Sequence, residues 1–212
     1  MKEIYFLVIY FISVGILSPS FEDFSYFFLL NVIGVSKLLF AVLVLVGQIC
    51  QIVGALIYKA YCRQVDTRWM IFFGMCAGVL QAFFNYAFAK RWNLQWGIPD
   101  KVFLFVTDPV MSVVSTILYV LPLLSLFAKV TPPRIEGTIF AFLTGTWNLS
   151  RTVISPGMGS FINHQFVGVN KNDLSQYPTL CLIALLFSLV LFPLLFLIPT
   201  KRQLKEWKIV RD

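Results

Sequence analysis

The sequence predicts an all-α, polytopic membrane protein with six transmembrane helices. Composition is the first observation behind this: hydrophobic residues make up 58% of the 212 and charged residues 13%, against roughly 45–50% and about 25% in soluble domains. Uncharged tracts are the second. Residues 38–57 and 179–199 contain no Asp, Glu, Lys or Arg, and at ~1.5 Å per residue each is long enough to cross a ~30 Å hydrocarbon core. The third is where the charges fall. The net charge of +7 sits at the ends of apolar runs, as expected of a protein held in a lipid bilayer, and does not form the single basic patch of a nucleic-acid binder.

The elements follow in order. The first span covers residues 4–18, and no cleavage pattern follows it, because Ser18-Pro19-Ser20 lacks the small-x-small signature. A second apolar piece, 24–33, is too short to cross alone; it either extends the first helix past Pro19 or begins the next after a re-entrant turn. Further spans are expected at 38–58, 69–89, 102–128, 137–161 and 180–198. Residues 1–199 thus form one six-helix bundle, and 200–212 a short charged tail amphipathic enough for an interfacial helix at Trp207. Trp69, Trp92 and Trp96 lie at span ends, where an aromatic belt is expected. Gly74 and Gly78 form a G-x-x-x-G close-packing face in the third span. Gly157 and Gly159 after Pro156 give the fifth span a packing kink or a loosened, gating end. Asn148-Leu-Ser150 matches a glycosylation pattern but falls inside a span.

Six spans put both termini on one side. The segments on that side carry eleven cations and the opposite segments five, so the termini face the cytoplasm, or the matrix or stroma of an organelle; the mitochondrial inner membrane is one candidate. Cys50, Cys62, Cys76 and Cys181 contain no C-x-x-C pair and lie in or beside apolar runs, so they read as small buried hydrophobes. His164 reads as a solvated loop residue. No nucleophile–base set, phosphate-cradling glycine loop or metal cluster is present, so neither enzyme activity nor a cofactor is expected.

The polar residues inside the spans are the functional candidates, because an ionisable group in hydrocarbon needs a partner or a water-filled path. Arginine there costs at least ~2.5–3.5 kcal/mol on insertion scales. Arg151 stands about fifteen residues into the fifth span, or ~22 Å from the cytoplasmic end. Asp108 stands about six residues into the fourth, or ~9 Å from the other end. The depths nearly coincide, so the two form an intramembrane pair or face one polar cavity; as a pair they serve transport or simply lock two helices. Asn148 lies one turn before Arg151 on the same face. Gln48 with Gln51, and Gln81 with Asn85, are secondary candidates at helical spacing, either as interhelical hydrogen-bonding groups or as lining of a path.

Two blocks carry a family resemblance. The first is Pro19-Ser-Phe-Glu-Asp-Phe-Ser-Tyr-Phe-Phe28 with Gly34, Gly47 and Gly54-Ala-Leu-Ile-Tyr58. The second is Asp108, Pro122, the turn Pro132-Pro133-x-x-Glu136-Gly137-Thr138, and Asn148. They resemble, in order, the seventh-to-eighth and tenth-to-eleventh helix regions of the folate–biopterin transporters of the major facilitator superfamily. The resemblance implies half of a major-facilitator bundle, the C-terminal six-helix half. Two such halves enclose a pathway in that superfamily, so the chain is expected to work only with partner chains: a second six-helix half, or subunits of a larger complex. It implies a folate- or pterin-like substrate, with Asp108 and Arg151 binding its carboxylate or exchanging a proton. The alternative is a non-transporting accessory subunit of a larger, for instance respiratory-type, membrane complex that docks through its former inter-half face.

Overall fold

The computed structural model describes residues 2–62, 64–131, 135–200 and 203, and these are helical with no strand among them. Pro132 and Pro133 of the expected turn, and nearly all of the 200–212 tail with its expected interfacial helix, lie outside the described residues.

The first helix, α1 (Lys2–Leu17), is interrupted and resumes as α2 (Glu22–Asn31). Pro19 explains the break: it has no N–H to donate and disfavours helical geometry in the residue before it. The piece at 24–33 therefore extends the first crossing, and Ile4–Asn31 forms one apolar span longer than the expected 4–18. Next comes α3 (Lys37–Ile57), opened by Ser36, whose hydroxyl accepts from the Leu39 N–H at 3.2 Å. Asp66 caps α4 (Thr67–Ala89) in the same manner, accepting from the Arg68 N–H at 3.0 Å. A short α5 (Trp92–Gln95) leads into α6 (Asp100–Ser115), and α7 (Leu121–Val130) completes that crossing. The fifth long helix comprises α8 (Glu136–Leu149) and α9 (Ser155–Ile162), and the last is α10 (Tyr177–Val190), which tightens into a 3₁₀ segment at Phe192–Leu197.

Among the described residues five helices are long and apolar enough to cross a membrane: Ile4–Asn31, Lys37–Cys62, Thr67–Ala89, Asp100–Val130 and Tyr177–Leu197. The sixth expected span is one continuous helical rod over 136–167 but is not among the five, because Asn148, Ser150 and Arg151 dilute its apolar centre. That rod carries His164 in a helical turn, Asn163–Val167, beyond the expected end at 161. The buried Asn163 amide fastens this end, donating to the Val169 carbonyl at 2.8 Å and accepting the Val169 N–H at 2.9 Å. Between them Gly168 turns the chain at φ +78°, a left-handed conformation that glycine adopts without strain.

π-turns at Tyr58–Cys62 and Asn163–Val167 end their helices, and two more interrupt long helices partway, at Thr116–Val120 and Ser150–Ile154. Each of the latter two lies just ahead of a proline, Pro122 and Pro156. A proline ring collides with the carbonyl four residues earlier, and a wider turn relieves the collision. Glycines from neighbouring helices approach both turns. A Cβ on Gly54 would lie 3.2 Å from the Thr116 Cβ, one on Gly74 would lie 2.9 Å from the Leu118 carbonyl oxygen, and one on Gly15 would lie 2.5 Å from the Ser150 Oγ. Gly78, the other half of the expected G-x-x-x-G face, meets nothing within 4 Å.

Packing is concentrated at the two ends of the bundle. One apolar cluster joins Phe28, Phe88, Phe103, Leu104, Tyr177 and Leu180. The other joins Leu7, Tyr10, Phe11, Ile71, Leu126 and Phe127. The α1 rod is bound to the 150–167 region by hydrogen bonds as well as packing. Ser150 Oγ donates to the Phe11 carbonyl at 2.5 Å, Ser155 Oγ donates to the Ser18 carbonyl, and the Ser20 N–H donates to the Ser155 carbonyl at 3.1 Å. Gly159 lies directly against the Ser20 backbone. Gly159→Ala is therefore expected to destabilise the bundle by ~1–3 kcal/mol through overpacking. Gly157→Ala, which meets nothing within 4 Å, should be neutral within ~0.5 kcal/mol. Thermal unfolding in detergent separates the two, and equal melting temperatures would refute the contact.

Candidate functional site

Between the apolar ends lies a cavity of about 1060 Å³, at the upper end of the range for ligand sites, roughly 300–1,000 Å³. It collects every polar residue singled out within the spans. Gln48 and Gln51 reach it from α3, Gln81 and Asn85 from α4, Asp108 from α6, Asn148 from α8 and Arg151 from the π-turn. Their spacing is what brings them here: pairs three or four apart along a helix share a face. Gln48, Gln51, Asn85, Asn148 and Arg151 are all exposed. They form a polar stripe on a bundle whose other exposed residues include Leu45, Ile49 and Leu56.

Asp108 and Arg151 share the cavity without forming an ion pair. Asp108 is half-buried and faces the Gln81 side chain. Gln81 in turn donates from Nε2 to Asn85 Oδ1 at 3.1 Å, and its Oε1 is buried with no hydrogen-bond partner. Arg151 lies over the Trp147 ring, 5.7 Å from its centroid, a contact worth roughly 0.5–1 kcal/mol when exposed. Nothing among the described residues accepts a hydrogen bond from its guanidinium. The ion pair the structure does form nearby in sequence, Arg91 Nη2 with Asp100 Oδ2 at 3.0 Å, belongs to the α5 loop, where Asn93 donates to the same carboxylate at 2.8 Å.

Glu136 and Gly137 open α8, away from the cavity wall. Glu136 in the first turn complements the positive end of that helix.

Several cavity groups carry no sequence signal of their own. Tyr10 and Tyr119 meet there, hydroxyl to hydroxyl at 3.1 Å, from helices 109 residues apart. Either tyrosine alone reads as one more aromatic in an apolar run. Glu22 also lines the wall; it opens α2 only because Pro19 breaks the helix just before it, and that break was the available clue. Among the described residues no group of three His, Cys, Asp or Glu side chains is placed to hold a metal ion.

The model of the BT1 family matches residues 2–210. A probable folate-biopterin transporter 6 of Arabidopsis thaliana is 31% identical over 161 residues, covering 76% of this chain and 31% of that protein. The folate-biopterin transporter of Synechocystis sp. is 26% identical over 182 residues, covering 86% and 36%. Folate transporter 2 of Plasmodium falciparum is 26% identical over 200 residues, covering 93% and 43%. The chain thus spans well under half the length of these relatives. No solved structure matches it.

If the stripe is wet, it should react with water-soluble reagents at membrane depth. In a background with Cys50, Cys62, Cys76 and Cys181 replaced by serine, Gln51→Cys and Asn148→Cys are expected to label with a membrane-impermeant maleimide. Ile49→Cys, on the apolar side of α3, is expected to stay unlabelled. Protection of all three positions would show that the stripe is sealed.

Proposed function

Since the chain belongs to the BT1 family, an MFS-type family, we propose that it forms the C-terminal six-helix half of a transporter for a folate- or pterin-like substrate. The chain is an integral membrane protein of transporter type. The observation that carries the finer reading is the polar cavity, in which Asp108, Asn148 and Arg151 face a common space open along one side of the bundle. An exposed arginine between long apolar helices costs at least ~2.5–3.5 kcal/mol against lipid. Against a second bundle across a water-filled path it is stable and useful.

The pathway therefore lies between this bundle and a second one, with Asp108, Asn148 and Arg151 on the substrate path and Gln48, Gln51, Gln81 and Asn85 extending its polar wall. Transporters of this architecture move one half against the other around a site near the midplane. The placement of the polar stripe between two apolar ends supports that mode, because the ends supply packing and the stripe supplies the site. The excess of cations on the segments that flank both termini supports termini on the cytoplasmic, matrix or stromal side.

Uptake of labelled folate into vesicles carrying the chain and its co-purifying partners tests the reading. Asp108→Asn and Arg151→Gln are each expected to lower uptake by about tenfold or more, the loss of ~1.4 kcal/mol or more of interaction, with membrane abundance unchanged. Normal uptake in both variants, or wild-type vesicles that take up none, would overturn it. So would partners that are subunits of an unrelated membrane complex, with no second six-helix bundle among them.

A further inference from the structure

The cavity holds charges of opposite sign that leave one another alone. Asp108 stands toward the apolar end formed by Phe28, Phe88 and Tyr177, and there it also borders a small adjoining cavity of about 40 Å³. Arg151 stands toward the Tyr10 end, over Trp147 and within electrostatic range of Tyr119. Trp147 covers a face of the guanidinium, and none of the N–H groups around its edge is taken by a described residue. Glu22, another carboxylate of the wall, is not paired with it either.

Two unmatched charges at separate places in one cavity suit a ligand whose two ends differ in chemistry. The flat ring of a pterin presents an amino group and a ring N–H side by side, and a carboxylate accepts such a pair with both oxygens. An arginine edge presents the complementary fork to a carboxylate. The geometry points to a division of labour: Asp108 receives the ring edge common to pterins, and Arg151 receives the carboxylate that only acid-tailed pterins carry. Arg151 is then the residue that separates folates from untailed pterins such as biopterin. This assignment rests on the reading of the cavity as a substrate path.

The test uses the chain purified in mild detergent with whatever partners it retains, and measures binding of folic acid and of biopterin separately by titration calorimetry. Arg151→Gln is expected to weaken folic acid binding by about tenfold or more and to leave biopterin within about twofold, as loss of a single charge-assisted contact to the tail predicts. Arg151→Lys should restore part of the preference for folic acid, and Asp108→Asn should weaken both ligands. Thermal unfolding of each variant confirms that it remains folded. If Arg151→Gln weakens both ligands equally, or neither, or if Asp108→Asn affects folic acid alone, the assignment falls while the substrate-path reading stands. If the wild-type protein binds neither compound, both fall.

Discussion

The seam between α1 and the helix that carries Arg151 is the contact on which the rest of the bundle depends. Hydrocarbon offers no water to satisfy a stray backbone group, so a break in a membrane helix survives only where protein supplies the missing partner. At Pro19 the partner is Ser155, whose hydroxyl donates to the Ser18 carbonyl and whose own carbonyl accepts the Ser20 N–H. One turn earlier Ser150 reaches the Phe11 carbonyl. These bonds fix the height and rotation of the 136–167 rod against α1. The position of Arg151, next to Ser150 in the chain, follows from them.

The π-turns extend this constraint. A wider turn rotates everything beyond it relative to a straight α-helix, so the faces on either side of Thr116–Val120 and Ser150–Ile154 are offset. In the first turn the offset brings Tyr119 to Tyr10. At the second, Arg151 lies over Trp147, four residues back on the same helix. Inside the helices Thr107, Thr116, Thr146 and Thr152 each satisfy their hydroxyl by donating to the carbonyl four residues back, whereas the buried Thr144 hydroxyl has no partner among the described residues. The amides and charges of the cavity thus stand among hydroxyls, including the Tyr10–Tyr119 pair, which bond to one another.

Much of this was legible in the sequence where a single helix decides the outcome. The uncharged lengths near residues 38–57 and 179–199 give crossings, and the spacing of Gln81 with Asn85 gives a shared face, because both depend only on rise and rotation along one rod. Asp108 and Arg151 do line one cavity, but toward its opposite apolar ends, and counting residues along two separate rods could not give that offset. What stayed hidden depends on pairs of rods. Nothing in the 137–161 pattern announces that Ser155 will close a break at Pro19, and the prolines at 122 and 156 signal a disturbance without saying that it takes the form of a π-turn. The G-x-x-x-G pattern shows the same limit. Both glycines border the cavity, but Gly74 is pressed against the Leu118 carbonyl while Gly78 meets nothing within 4 Å, and only the neighbouring helix distinguishes them.

The modest apolarity of the 136–167 rod has a consequence for how the protein is made. Helices such as Lys37–Cys62, apolar over most of their length, are of the kind that partitions from the translocation channel into lipid unaided. A segment with Arg151, Asn148 and Ser150 at its centre gains too little from lipid to leave the channel alone. It needs a receiving helix, and the Ile4–Asn31 span, which precedes it in the chain and carries the Phe11 and Ser18 carbonyls that Ser150 and Ser155 seek, offers that surface. Insertion of this bundle is therefore expected to be ordered, its most polar helix entering the bilayer against the span whose carbonyls Ser150 and Ser155 take.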